Sequence, residues 1–454
     1  MKHSAGGGRP LTQFERLLFR YGTSIVGLFV LLLMAAVYCY GDRDLYYATL
    51  KWWGILPYHY PFADMKIILT AIDCSRYTID IYKPNTCMYG GWYSYSPILL
   101  GVAKLPIGPN DHSWVGFFFG IAFLAALSAL PPSMSWKEFW IRTLATLSTV
   151  TIFGIERTEF DVPIFLIVLA GVLLAIRATG VRFLGYAIFV FAAVLKYYPL
   201  VLMLVVARER FRTAVRIALA TIAAICGFIL ATTYETLQVV GLAPVGSPFA
   251  DYFGARNLPL GLTLIEAGPL PLTEVAKFRM PLSALGQIAL GILLVYAAWT
   301  AARSFRDDSR RVADLAPAHL TFFVAGSALM VGCFFAVQNA GPRAIFLLMV
   351  LPGLFAMASA AEGRSARRPM ALICGVLFLL WEGFFYGIEK ALSLHLPPTV
   401  PLHFLYWIAR ELVWWWVMAR LAGLVIAFLW NSPALAVPMD FLRIPRPART
   451  PAAG

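Results

Sequence analysis

The chain has 454 residues, of which 60% are hydrophobic and only 13% are charged. Soluble domains carry about 25% charged residues, so this composition indicates a polytopic α-helical membrane protein. The apolar runs are continuous, not alternating, which excludes an outer-membrane barrel. The net charge of +13 would suit nucleic acid, but Lys and Arg gather in short loops and orient membrane helices there. We therefore expect no nucleic-acid partner.

Ten apolar segments are near the roughly 20 residues that cross a bilayer. They are 21–40, 113–131, 139–155, 160–176, 213–233, 285–302, 318–337, 343–361, 370–390 and 406–430. Lys and Arg precede the first segment and recur in alternate loops, which predicts cytoplasmic N- and C-termini. Loops 41–93 and 234–284 have nearly balanced charge, five acids to five bases and four to three. These two are predicted to be the outer loops, the first with amphipathic helices.

Segment 183–207 does not fit a simple crossing, because Arg182 and Arg208 place both of its ends inside. Some 25 residues cannot cross twice at about 1.5 Å per residue. The pattern predicts a re-entrant or broken helical hairpin that turns before Pro199, which cannot donate to a helix. Segment 97–107 is predicted to be interfacial or re-entrant.

The predicted fold class is therefore an all-α polytopic membrane protein with about ten full transmembrane helices and one hairpin. A single membrane domain covers 1–430, and the Pro/Arg-rich segment 431–454 is expected to be a disordered cytoplasmic tail.

Polar and ionisable residues converge on the predicted outer side. Such groups at membrane depth mark functional sites unless they are paired or wet. They include Asp64, Arg157, Asp161, Lys196, Arg256, Asn257, Asn339, Arg343 and His395. Simpler interpretations stay open: Asp64 and Asp161 are also suitable N-caps, and Arg343 is also a suitable lipid-phosphate anchor. The run Trp414–Trp416 is interpreted as an interfacial aromatic belt.

Cysteine usage leaves one question open. Cys74 and Cys87 share the first outer loop, where an oxidising compartment would join them; two free thiols are the alternative. The sequence has no CxxC motif or histidine cluster, so we expect no metal site.

Four motifs follow one another in the chain. They are Phe62-Ala63-Asp64 with Tyr93-Ser94-Tyr95-Ser96-Pro97, Glu156-Arg157-Thr158-Glu159-Phe160-Asp161, Leu195-Lys196-Tyr197-Tyr198-Pro199, and Asn339-Ala340-Gly341-Pro342-Arg343. In order and spacing the series resembles the C-type superfold of integral-membrane glycosyltransferases. The nearest group is glycosyltransferase family 87, the polyprenyl-phosphate-mannose-dependent α-mannosyltransferases. Thr158-Glu159 and Pro342 depart from that group's pattern.

The resemblance implies an inverting transferase that moves one sugar, mannose in that family, from a polyprenyl-phosphate donor to a lipid or glycan hydroxyl. Asp64 takes the role of catalytic base. A departing phosphate needs fixed cations, and Lys196 and Arg343 are the candidates. The other candidate residues position donor or acceptor: Asp161, Arg157, Tyr95, Tyr198, Arg256, Asn257, Asn339 and His395. The donor is a substrate, and we expect no cofactor.

The same residues leave alternatives. A broken helix with Lys196 and Asp161 is also typical of a lipid-linked-sugar flippase or other transporter, and an oligosaccharide ligase uses lipid-linked donors too. The expected location is the bacterial inner membrane, among its lipids, with the active site facing the periplasm.

Overall fold

The chain folds almost wholly as helices in the part that the structure describes. This computed structural model describes residues 12–77, 79–241, 246–250, 252–268, 281–336, 338–361, 363–393 and 402–436. The α-helices are α1 (Gln13–Tyr40), α2 (Arg43–Trp52), α3 (Ala63–Ser75), α4 (His112–Ala126), α5 (Trp136–Thr146), α6 (Thr149–Arg157), α7 (Asp161–Ala175), α8 (Thr179–Leu195), α9 (Phe211–Ala231), α10 (Thr233–Gly241), α11 (Asn257–Ala267), α12 (Ala284–Ala313), α13 (Pro317–Ala336), α14 (Leu347–Ser359), α15 (Arg367–Leu380), α16 (Glu382–Ser393) and α17 (Leu402–Trp430).

Short 3₁₀ helices and one small ladder complete the described structure. The 3₁₀ helices are Pro97–Lys104, Pro109–Asp111, Leu127–Ala129, Tyr198–Arg208, Gly341–Phe346, Gly363–Ser365 and Pro433–Leu435. Strand β1 (Tyr252–Phe253) pairs antiparallel with β2 (Asn339–Ala340). The predicted all-α class is confirmed, with this two-residue ladder as an addition.

Seven described helices are long and apolar enough to cross a membrane, and two bent helix pairs raise the number to nine. The class of membrane protein is therefore confirmed, while the count of ten is not. The predicted span 139–155 is divided between α5 and α6. The division has a local cause: the Ser148 hydroxyl accepts the Thr151 N–H and caps α6, as serine favours at a helix start.

Two further breaks shape the region around the candidate site. The chain bends by 107° between helices α6 and α7. Thr158, which lies between them, has a left-handed φ of +47°. Helix α8 ends at Leu195, Lys196 is extended, and a 3₁₀ helix begins at Tyr198 with Pro199 in its first turn. The predicted break at Lys196 is confirmed, and the two arms pack against each other.

Loop 41–93 contains the two helices α2 and α3, as predicted. The 3₁₀ helix Pro97–Lys104 has eight residues and is about 16 Å long at 2 Å per residue, too short to cross a bilayer. Cys74 and Cys87 form a disulfide, so the free-thiol alternative is wrong. The Tyr234 hydroxyl of α10 donates to Asp80 at 2.6 Å and ties this loop to the helices.

The main hydrophobic core extends from α3 to α17. Trp414 and Trp415 of α17 are fully buried, and Trp414 stacks on Phe253 with ring centres 4.3 Å apart. The interpretation of this run as an interfacial belt is therefore wrong for these two residues, because hydrophobicity alone does not tell a lipid-facing ring from a packed one. Residues 431–436 are also folded, with Ser432 and Ala434 buried, so part of the predicted tail belongs to the domain.

Glycines let α7 and α8 approach closely. A Cβ atom on Gly185 would lie 2.6 Å from the Gly171 carbonyl oxygen and 2.7 Å from the Ala175 nitrogen. We expect Gly185→Ala to lower the thermal unfolding midpoint in detergent, by the equivalent of about 1–3 kcal/mol of overpacking. The control is Gly180→Ala in the same helix, where a Cβ meets nothing within 4 Å and raises helix propensity. Equal thermal unfolding midpoints for the two variants would contradict the close packing of α7 against α8 at Gly185.

Candidate functional site

One buried carboxylate, that of Asp161, holds three side chains. It accepts hydrogen bonds from Lys196 Nζ at 2.6 Å, the Tyr198 hydroxyl at 2.6 Å and Arg343 Nε at 3.2 Å. Asp161 is fully buried, whereas the side chains of Lys196 and Arg343 are 17% and 13% exposed. A molecule that reaches this cluster therefore meets the two cations before the carboxylate.

Helix ends bring the members of the Asp161 cluster together. Asp161 is the first residue of α7, whose N-cap is Phe160 without a side-chain hydrogen bond. Lys196 follows α8 directly, and Arg343 lies in the 3₁₀ helix before α14. Because the Asp161 side chain is bonded to the cluster, the interpretation of Asp161 as a helix cap is wrong. Arg343 is likewise held inside the protein and does not serve only as a lipid anchor.

Asp64 lies next to Arg157, with 3.9 Å between Oδ1 and Nη1, and both side chains are 20% exposed. The Arg157 guanidinium is fixed over the rings of Tyr58 and Phe153, at 4.3 and 4.6 Å. The N-cap of α3 is Phe62, and no side chain caps this helix. Asp64 is thus not a capping residue, and its carboxylate faces the site.

An unusual backbone conformation fixes the start of α3. Phe62 has a left-handed φ of +61°, and its N–H donates to the Glu156 carbonyl oxygen at 2.6 Å. Gly116 makes room for the Phe62 ring, which a Cβ there would approach to 2.3 Å. Left-handed conformations of residues other than glycine persist only where the surrounding contacts enforce them. These contacts set the position of Asp64, two residues on.

The charge state of Asp64 depends on its burial and its neighbours. Burial raises the pKa of the Asp64 carboxyl above its ordinary value, and the positive charges of Arg157 and Lys196 oppose that rise. Desolvation disfavours the ionised form, and nearby cations favour it. A carboxylate with a raised pKa is a better proton acceptor than an exposed aspartate.

Tyr95 is close enough to both Asp64 and the Asp161 cluster to be affected by their charges. Burial raises the pKa of the Tyr95 hydroxyl well above its ordinary value, with further contributions from the charges of Asp64, Glu159 and Asp161. Its ring packs edge-on against Phe160, with centres 5.3 Å apart, and lies 5.9 Å from Lys196 Nζ. The phenol therefore stays protonated and is a neutral hydrogen-bond donor at the centre of the site.

Asn257 belongs to a second polar cluster. It is fully buried and donates to Glu411 Oε1 at 3.0 Å, while Gln338 donates to Asn257 Oδ1 at 2.6 Å. Arg410 completes the cluster with an ion pair to Glu411 at 2.6 Å. The structure thus places Asn257 in an internal network, apart from the contacts of Asp161.

Asn339 supports the Arg343 side of the Asp161 cluster. Its side-chain oxygen accepts a hydrogen bond from Arg343 Nη1, its Nδ2 donates to the Cys333 carbonyl at 2.6 Å, and its backbone pairs with Phe253 in the β ladder. Asn339 therefore holds Arg343 from the side opposite Asp161.

Two further predicted site residues are not among the contacts given above. Arg256 is the exposed N-cap residue of α11, and within the described chain the polar contacts of Asp64 and Asp161 do not include it. His395 is outside the described residues. The structure does not bring Arg256 to the Asp161 cluster.

Sequence reasoning missed Glu159 and the Arg410–Glu411 pair as site or support residues. Glu159 Oε1 lies 3.6 Å from Lys196 Nζ, so it shares that cation with Asp161. Its position two residues before Asp161 was a usable signal. Arg410 and Glu411, adjacent charges within an apolar span, are the type of intramembrane pair that marks buried networks.

The arrangement offers a partly exposed carboxylate, a neutral phenol and two anchored cations within electrostatic reach of one another. Within the described residues, no three His, Cys, Asp or Glu side chains are grouped as metal ligands would be. Comparison with known proteins adds no relative: no family model, curated protein or solved structure matches the chain.

Asp161 should be the main structural support of this site. Asp161→Asn removes the carboxylate that Arg343 and Lys196 share and leaves Lys196 only the longer contact to Glu159. Breaking a buried ion pair costs about 3–5 kcal/mol. We expect a large fall in the thermal unfolding midpoint of the purified protein. Asp73→Asn is the control, since Asp73 pairs with Arg76 at the surface, where ion pairs contribute about 0–1 kcal/mol. Similar midpoints for the two variants would contradict the central role of Asp161.

Proposed function

We propose that this protein is an inverting glycosyltransferase that moves a single sugar from a polyprenyl-phosphate donor to a lipid or glycan hydroxyl. One observation carries the proposal. Lys196 and Arg343 are fixed on the buried Asp161, and Asp64 is a separate carboxylate whose raised pKa is influenced by the charge of Lys196. A base and an anion-binding pair are the two groups that such a transfer needs.

Asp64 is the base in this proposal. The acceptor oxygen attacks the anomeric carbon of the sugar, and its proton passes to the Asp64 carboxylate. One positioned base is sufficient for inversion, and no covalent sugar–enzyme intermediate forms. Arg157 keeps Asp64 ionised by its charge, and the stacking of Arg157 on Tyr58 and Phe153 holds it in place.

Lys196 and Arg343 stabilise the leaving group. As the bond between the anomeric carbon and the phosphate oxygen breaks, the electron pair stays on the phosphate. Fixed N–H donors aimed at developing charge lower the barrier because they need no reorganisation. The guanidinium suits phosphate geometry, and Asp161 and Asn339 already hold it. Tyr95 and Tyr198 are placed to orient the sugar hydroxyls.

The finer assignments rest on the resemblance described above. They are the C-type superfold, family 87, mannose as the sugar, and a bacterial inner membrane with the site at its periplasmic face. Several apolar helices support the membrane location. The donor's polyprenyl chain and the membrane protein share the bilayer, so a donor that enters laterally is consistent with this architecture.

Loss of the base should slow sugar transfer strongly and leave donor binding intact. We expect Asp64→Asn to slow transfer from radiolabelled polyprenyl-phosphate mannose to a crude lipid extract by about 10²–10⁴-fold. Asp73→Asn, on the same helix, should transfer at the wild-type rate. Unchanged transfer by Asp64→Asn would move the base elsewhere, with Asp161 the next candidate.

The pH dependence of transfer should report Asp64. Because the base acts when ionised, kcat/KM should rise with pH through the pKa of Asp64, with a midpoint above its ordinary value of 3.8. Arg157 lowers that pKa, so Arg157→Gln should move the midpoint to higher pH. Lys66→Gln changes a residue on the same helix as Asp64 and should leave the midpoint unchanged. A midpoint that moves down or stays fixed in Arg157→Gln would refute this electrostatic assignment.

Transport remains the competing class, since the broken hairpin at Lys196 is a feature that transporters share. A flippase would move lipid-linked sugar across vesicles, would show no transfer, and would tolerate Asp64→Asn. That combination of results would replace the transferase proposal.

A further inference from the structure

Glu156 is a buried carboxyl group that the proposed reaction does not use. It lies in the last turn of α6 and is 6% exposed. Neither of its carboxylate oxygens has a hydrogen-bond partner among the described residues. Buried polar groups are nearly always bonded, so an exception requires an explanation such as an absent ligand.

Glu156 lines an apolar pocket of about 400 Å³, and its two carboxylate oxygens are themselves buried beside it. This Glu156 pocket is formed by α1, α2, α4, α6 and the chain before α3, with Leu31, Ala35, Leu50, Phe62 and Phe117 among its walls. Ligand sites are typically apolar cavities of about 300–1,000 Å³ with a few polar groups that fix orientation. Here no Lys or Arg lines the pocket, and Glu156 is its acidic residue.

The pocket lies at the edge of the protein and beside the proposed base. Cys39 and Trp114 line it and are exposed, at the C-terminal end of α1 and the start of α4. Phe62 also lines it, two residues before Asp64, and donates its N–H to the Glu156 carbonyl. A chain that lies in the bilayer can therefore enter sideways, with its polar end near Asp64.

We propose that the Glu156 pocket binds the acceptor, a lipid with an apolar chain and an uncharged, hydroxyl-bearing headgroup. In this proposal the Glu156 side chain turns toward the pocket when the lipid enters. Its carboxylate then accepts hydrogen bonds from the headgroup hydroxyls and presents one of them to Asp64. This inference rests on the proposed transferase function and names the substrate class of that site. The donor is the wrong occupant, because its phosphate would meet a carboxylate and no cation in this pocket.

Photolabelling of the full chain in lipid nanodiscs tests the assignment without any sugar transfer. The first probe is decyl glucoside, an uncharged molecule with a diazirine in its alkyl chain. The second probe is decyl phosphate, an anionic molecule with the same diazirine-bearing chain. The glucoside should label α1 and α4 peptides about tenfold more than the phosphate, the scale of one hydrogen bond to a charged group.

Two variants locate the label. Ala35→Trp fills the pocket and should abolish glucoside labelling, whereas Ala36→Trp, on the neighbouring exposed position of α1, should not. Glu156→Gln keeps the side-chain shape and removes the charge, so the preference for glucoside over phosphate should fall several-fold. Unfolding midpoints of all variants identify any that are misfolded.

The outcomes separate this inference from the proposed function. Equal labelling by both probes, or labelling that Ala35→Trp does not reduce, overturns the pocket assignment even if sugar transfer is observed. Pocket labelling with the predicted preference, in a protein that transfers no sugar, supports the lipid site and removes the transferase proposal.

Discussion

The burial of Asp161 is the constraint on which the rest of the site depends. A carboxylate removed from water is strongly unfavourable unless cations and hydrogen-bond donors surround it. Lys196, Tyr198 and Arg343 meet that requirement. In doing so they fix the α6–α7 bend, the end of α8 and the start of α14 relative to one another. The same contacts that compensate Asp161 leave the two cations partly exposed.

Broken helices are the means by which a membrane protein places polar groups at depth. Irregular backbone inside a bilayer is tolerated only where protein or a wet cavity satisfies it. Thr158 and Phe62 both adopt left-handed conformations, one between α6 and α7 and the other before α3. Each precedes a functional acid by two or three residues. Local backbone strain of about 1–3 kcal/mol is typical of sites where geometry is enforced by the surroundings.

The carboxyl groups around the site have different tasks because their surroundings differ. Asp161 is matched by cations and acts as a structural anchor. Asp64 is partly exposed, with a raised pKa and only a long contact to Arg157, which suits proton transfer. Glu156 borders an apolar pocket and has no hydrogen-bond partner among the described residues, which suits an uncharged hydroxylated ligand. Desolvation and neighbouring charge, not residue type, separate these roles.

The sequence alone determined the membrane class, the helical fold, the amphipathic first loop and the break at Lys196. Composition, charge bias and proline act locally or along the chain, so their effects can be predicted without coordinates. It also selected Asp64, Asp161, Lys196 and Arg343. It did not determine that Asp161 binds both cations, that Asn257 belongs to another network, or that Trp414 and Trp415 are buried. Only the tertiary structure decided these points. Hydrogen-bond partners and burial depend on contacts between segments far apart in the chain, such as Asp161 with Arg343, and no local pattern encodes such contacts.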